Sequence, residues 1–110
     1  MVKHLVGDLD AVFGALADPI RRGIVERLAR GEASVGELAE PYDVSAPAIS
    51  RHLRVLERAG LVARHKHGRV HRCRLRSEKV ETVSQWVEQQ RSFWTQGLDR
   101  LEKYLEESDG

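Results

Sequence analysis

The sequence predicts a mainly α fold with one small β-hairpin, five helices and a two-stranded ribbon in a single domain over residues 1–110. Three observations carry that reading. Apolar residues return at three- and four-residue spacing near both ends and in the centre of the chain, which is the signature of amphipathic helices. Start and stop residues punctuate those stretches, and alternation at period two is confined to one segment, Leu61 to Leu75. A chain of 110 residues has room for one modest core.

Leu5, Leu9, Val12, Phe13 and Leu16 lie on one face of a first helix from about Asp8 to Ala17. Asp18-Pro19 stops it and starts another, because Asp is a favoured N-cap and Pro a favoured first helical residue. Ile20, Ile24 and Leu28 form the buried stripe of this second helix, and Arg30-Gly31 supplies a basic last turn and a capping glycine. Gly23 costs it roughly 1 kcal/mol relative to Ala. Close packing against a neighbour would explain its presence.

The centre of the chain, Ser34 to Val62, reads as two short helices joined by a turn. Ser34 and Glu37 have the spacing at which each side chain bonds the other residue's backbone N–H. Pro41, Tyr42 and Asp43 close this third helix after about two turns. Ser45 caps a fourth, from Ala46 to about Ala59, which Gly60 ends in the left-handed conformation. Ile49, Leu53 and Leu56 make its apolar stripe. On the opposite side lie Ala46, Pro47, Ser50, Arg51 and Arg54, small residues first, then a hydroxyl and two guanidiniums. Small residues allow close approach, and Arg offers paired donors to guanine edges or phosphate, as a helix in a major groove requires.

Leu61 to Lys66 and Val70 to Leu75 read as strands paired around a tight His67-Gly68 turn. In the second strand Cys73 and Leu75 fall on one side and Arg72, Arg74 and Arg76 on the other. The tip carries Arg64, His65, Lys66, His67 and Arg69, within reach of phosphates flanking a groove-reading helix. From about Glu78 to Glu107 the helical period returns: Val83, Val87, Trp94, Leu101 and Tyr104 form a stripe about 45 Å long at 1.5 Å per residue. A small core cannot cover all of it. Both tryptophans lie on this helix, and aromatic residues are enriched at interfaces, so segments 78–107 and 1–17, including Leu5 and Leu9, are read as dimerisation helices.

The net charge of +1 conceals a strong asymmetry. Residues 45–79 hold 10 Lys/Arg against 2 Asp/Glu, while the segments on either side are acidic. A basic block of that kind is the footprint of a polyanion-binding face. No apolar run is long enough to span a membrane, and the N-terminus lacks the apolar core of a signal peptide, which predicts a cytoplasmic protein with no membrane partner. A single cysteine, Cys73, agrees with that compartment. No nucleophile, base and orienting group can be assembled from the spacing, so no catalytic site and no enzyme activity is expected.

In order, the elements are helix, helix, helix-turn-helix, basic hairpin and long aromatic helix. The segments Phe13 to Leu28, Val35 to Val62 and Gly68 to Leu75 resemble the ArsR/SmtB family of winged helix-turn-helix transcriptional repressors. The resemblance implies a homodimer whose recognition helices enter successive major grooves of a palindromic double-stranded DNA operator. It implies that Ala46, Pro47, Ser50 and Arg51 read bases, and that Arg54, Lys66, Arg69 and Arg72 meet the backbone. It also implies an inducing signal of open class, a small molecule, a thiol oxidant or a partner protein. Metal-sensing members carry thiols before the turn or His ligands on the last helix. Here Ala33 to Glu37 holds no thiol and the segment from Glu78 holds no histidine, so the chain resembles the branch without those sites, and no metal or other cofactor is expected. Two alternatives stay open: a protein-interaction module, and a thiol- or metal-responsive repressor using Cys73 with His65, His67 and His71, which alternation places roughly on matching sides of the hairpin.

Overall fold

A computed structural model describes the backbone of residues 2–109 and the side chains of residues 7–108. The elements are α1 (Val2–Leu16), α2 (Pro19–Leu28), β1 (Ala33–Ser34), α3 (Val35–Ala39), α4 (Ala46–Arg58), β2 (Val62–His67), β3 (Val70–Leu75) and α5 (Ser77–Asp109). They fall into two compact units, Met1–Val80 and Glu81–Gly110. The prediction of a mainly helical fold with five helices holds. The two-stranded ribbon does not: β1 adds a third strand, pairing antiparallel with β3 through Ala33 and Cys73 and through Ser34 and Arg72, in the order β1-β3-β2. Two residues are too few to display an alternating pattern, so only the partner strand reveals them.

Local chemistry explains most helix boundaries. Asp18 Oδ2 accepts from the N–H groups of Ile20 at 2.9 Å and Arg21 at 3.1 Å, with Pro19 in the first helical position. Ser34 and Glu37 form the reciprocal box that opens α3, and the Ser34 backbone N–H and hydroxyl hold the Glu37 carboxyl below its ordinary range. Ser45 Oγ accepts from Ala48 N–H at 3.2 Å and opens α4. Ala59 caps its end and Gly60 follows at φ +78°, with the aliphatic stem of Lys79 lying where a Cβ would point. Four boundaries differ from expectation. The backbone of α1 begins at Val2, α2 ends at Leu28 one turn before Gly31, α3 is five residues long, and the hairpin turns at Gly68-Arg69, where Gly68 has φ +66°.

The core of the first unit is built by α1, α2, α3, α4 and the base of the sheet. Val12, Ile24, Leu38, Ile49, Leu53, Leu56, Leu61 and Cys73 are the largest wholly buried side chains. The α4 stripe of Ile49, Leu53 and Leu56 is fully enclosed at 0% exposure, which fixes the opposite side of that helix outward. Gly23 has its reason here: a Cβ would overlap the Tyr42 hydroxyl, so the ring that follows α3 packs directly on the α2 backbone. Arg21 Nε donates to the Ala15 carbonyl at 2.6 Å and Arg22 Nη1 to the Leu16 carbonyl at 2.8 Å, satisfying carbonyls that the end of α1 leaves without helical partners.

By itself, α5 is a 33-residue helix, about 50 Å long. Val87, Phe93, Trp94, Leu98, Leu101, Tyr104 and Leu105 are exposed along it, and the Phe93 and Trp94 rings meet edge to face with centroids 6.5 Å apart. No helix among the described residues is long and apolar enough to cross a membrane.

Asp18 yields a pH prediction. Burial pushes its carboxyl up, but the Arg21 N–H, His52, the Arg21 guanidinium and the Ile20 N–H outweigh that and hold it below the ordinary 3.8. A carboxyl that titrates lower when folded contributes stability that is complete above its unfolded value and is lost as pH falls through the folded one. Asp18→Asn keeps a good N-cap without the charge. The stability difference between the two proteins, followed by urea unfolding from about pH 5 down to about pH 3, should be largest at the upper end of that window and shrink below about pH 4 as the carboxylate is protonated. A difference independent of pH would remove the charge from the account.

Candidate nucleic-acid interface

Because the apolar stripe of α4 faces the core, Ala46, Pro47, Arg51 and Arg54 are exposed, and Ser50 is half-buried beside them. Among the described residues, Arg51 and Arg54 have no ion-pair partner. Arg58 extends the same face by one turn, and with Arg51, Arg54 and Val55 it lines a shallow cleft of about 270 Å³. Arg58 was not among the expected contact residues, although its spacing from Arg51 and Arg54, seven and four positions along the helix, places it on their face. His52 turns the other way, its Nδ1 lying 3.2 Å from Arg21 Nη1 and 3.9 Å from Asp18 Oδ2, so α4 is tied to the start of α2 by its polar back as well as by its apolar stripe.

The wing leaves the body at Arg64 and returns at Arg72, and all seven residues between them are exposed. Of the predicted wing residues, Lys66, His67 and Arg69 stand on this projecting tip. Arg72 is half-buried at the base, 4.0 Å from Glu37. Arg64 is not on the tip: its Nε and Nη2 lie 2.9 Å and 2.5 Å from Glu57 Oε1, in a pair with the last turn of α4. The two exposed basic groups, Arg51, Arg54 and Arg58 on α4 and Lys66 and Arg69 on the tip, lie in the same compact unit, and among the described residues none of these five has an ion-pair partner.

Strand register overturns the hairpin ligand set. Residues paired directly across an antiparallel ladder share a face. Arg64 pairs with Cys73 and Lys66 with His71, whereas His65 pairs with Arg72 and His67 with Val70. His71 and Cys73 therefore stand on one face, and His65 and His67 on the other. The sequence established alternation within each strand but not the phase between them. Among the described residues no three His, Cys, Asp or Glu side chains converge as metal ligands would. Burial also pushes the Cys73 thiol up, against the pull of Arg64, which leaves it a poor thiolate.

Of the proposed interface residues, Val87, Trp94, Leu101 and Tyr104 are exposed and Val83 is half-buried. Leu9 is already buried in one chain at 8% exposure, and the Leu5 side chain lies outside the described residues.

A family model described as a helix-turn-helix domain matches residues 16–65, from the end of α1 to the first half of β2. The chain is 58% identical over 53 residues to the HTH-type transcriptional regulator Rv2034 of Mycobacterium tuberculosis, a match that covers 48% of this chain and only half of that protein. It is 32% identical over 79 residues to the transcriptional repressor SdpR of Bacillus subtilis, covering 72% of this chain and 88% of that one. A crystal structure described as an ArsR family transcriptional regulator is similar at 40% identity and a TM-score of 0.75, over 81% of this chain and 92% of the other.

Proposed function

The chain belongs to the ArsR/SmtB family of winged helix-turn-helix transcriptional regulators, and from that premise we propose that it represses transcription in the cytoplasm as a homodimer on a palindromic operator, without a bound metal. It is a DNA-binding regulator, of a class that is not enzymatic. In this reading Ala46, Pro47, Ser50 and Arg51 approach base edges in the major groove, while Arg54, Arg58, Lys66, His67, Arg69 and Arg72 meet phosphates on either side. The observation that supports it most is the outward face of α4, where exposed arginines stand opposite a stripe that is wholly enclosed. Repression follows by exclusion when the occupied operator overlaps a promoter.

The test is binding of the purified protein to its own upstream DNA and to a scrambled duplex of equal length, over a salt series, with and without chelator. The upstream duplex should bind tightly and lose affinity steeply with salt, with a log-log slope of roughly −0.9 for each phosphate neutralised. Chelator should change nothing. Weak and equal binding to both duplexes would favour a protein-interaction module working through α5 instead.

Dimerisation through α1 and α5 is part of the same proposal. Trp94 is 66% exposed in one chain, on a helix whose apolar stripe continues through Leu98, Leu101 and Leu105. Aromatic anchors at the centre of an interface cost about 2 kcal/mol or more when truncated. Trp94→Ala should therefore shift sedimentation at low micromolar concentration toward monomer. A variant that stays fully dimeric there would remove Trp94 from the interface.

A further inference from the structure

Glu57 sits in the last turn of α4, where the helix dipole disfavours a carboxylate. Arg64 sits on the face of β2 that it shares with Val62, Cys73 and Leu75, the face that packs on the core. A guanidinium directed inward has to find a partner. The two meet there, with both Nε and Nη2 of Arg64 on Glu57 Oε1, the Arg64 side chain 18% exposed and that of Glu57 33% exposed. Their place in the chain is what gives the pair a consequence. Arg64 is the last residue of β2 before the projecting tip, and Glu57 belongs to the helix that carries Arg51, Arg54 and Arg58. The pair thus joins the base of the wing to the helix beside it. On the opposite face of the wing base the contacts are longer, His65 to Glu32 at 3.6 Å and Arg72 to Glu37 at 4.0 Å.

We propose that Glu57 is a positioning residue for DNA binding: through Arg64 it sets the angle at which the wing leaves the body relative to α4, and Arg64 is a strut rather than a phosphate contact. The inference rests on the reading that α4 and the wing tip engage one duplex. Two phosphate-contacting surfaces bind together only when their separation matches the DNA. A pair that holds one against the other keeps that match without touching the nucleic acid.

The experiment measures operator affinity and its salt slope for Glu57→Gln, Arg64→Ala, the double variant and the charge exchange Glu57→Arg with Arg64→Glu. Circular dichroism melts establish that each is folded. Glu57→Gln and Arg64→Ala should each weaken binding by about tenfold, and the double variant by no more than either, as coupled residues do. The salt slope should stay unchanged, and the charge exchange should recover most of the affinity. An arginine that held a phosphate would behave otherwise. Arg64→Ala would then reduce the salt slope by about 1, Glu57→Gln would leave affinity equal or higher by releasing the guanidinium, and the charge exchange would be worse than either single change. That pattern overturns the strut. If Arg64→Ala fails to fold, Glu57→Gln and the charge exchange still decide between the two. Lys66→Ala and Arg69→Ala separate this proposal from its premise. If neither alters affinity or salt slope, the cations of the wing tip do not engage the duplex and the premise is lost; if they do and Glu57→Gln does not, only the strut is lost.

Discussion

Leu53→Ala is expected to cost about 2–5 kcal/mol of unfolding free energy, the range for truncating a wholly buried leucine. Leu53 is at the middle of the α4 stripe, at 0% exposure between Ile49 and Leu56. Removing it takes away apolar burial and leaves a cavity where α4 meets the rest of the core. Domains of this size hold only about 5–15 kcal/mol in total, so the urea midpoint should fall sharply while the slope of the transition stays the same. A loss below about 1 kcal/mol would mean that the surrounding helices collapse into the space. Operator binding by the fraction that remains folded should be little changed, because the outward face of α4 is untouched.

Arg51→Ala is expected to lower the discrimination between operator and random DNA by about 1–3 kcal/mol, the worth of one base-reading side chain. Arg51 is exposed on the first turns of α4, one residue from Ser50 and a turn beyond the small pair Ala46 and Pro47 that lets the helix approach closely. Lys66→Ala on the wing tip should instead weaken specific and non-specific binding by about the same factor and reduce the salt slope by about 1. Titrations of both variants against the two duplexes at several salt concentrations check this. Equal losses for Arg51→Ala on operator and random DNA would move it from base reading to phosphate contact.

The legible parts of this protein are those in which cause and effect lie within a few residues of each other. Asp18-Pro19, the Ser34 and Glu37 box, Ser45 and Gly60 each act on backbone groups two to four positions away, and all of them mark the boundaries they were expected to mark. The α4 stripe follows from the helical period alone, and the cationic face opposite it follows from the stripe. Arg58 was equally legible by spacing.

What escaped depends on pairs distant in sequence or on phase. The strand Ala33–Ser34 exists because Cys73 and Arg72 are beside it, some forty residues further along the chain. His65 and Cys73 looked compatible as ligands until register placed them on opposite faces. Gly23 looked like a flaw until Tyr42 was seen against it.

By itself, then, the sequence determined the order of the helices, their caps, the inward stripe and the basic block, since period, capping chemistry and charge are properties of neighbouring residues. Only the tertiary structure decided which cations of that block remain free. Arg51, Arg54, Lys66 and Arg69 face outward, while Arg64 is held by Glu57, because strand phase and the packing of β2 beside α4 set the direction of each side chain.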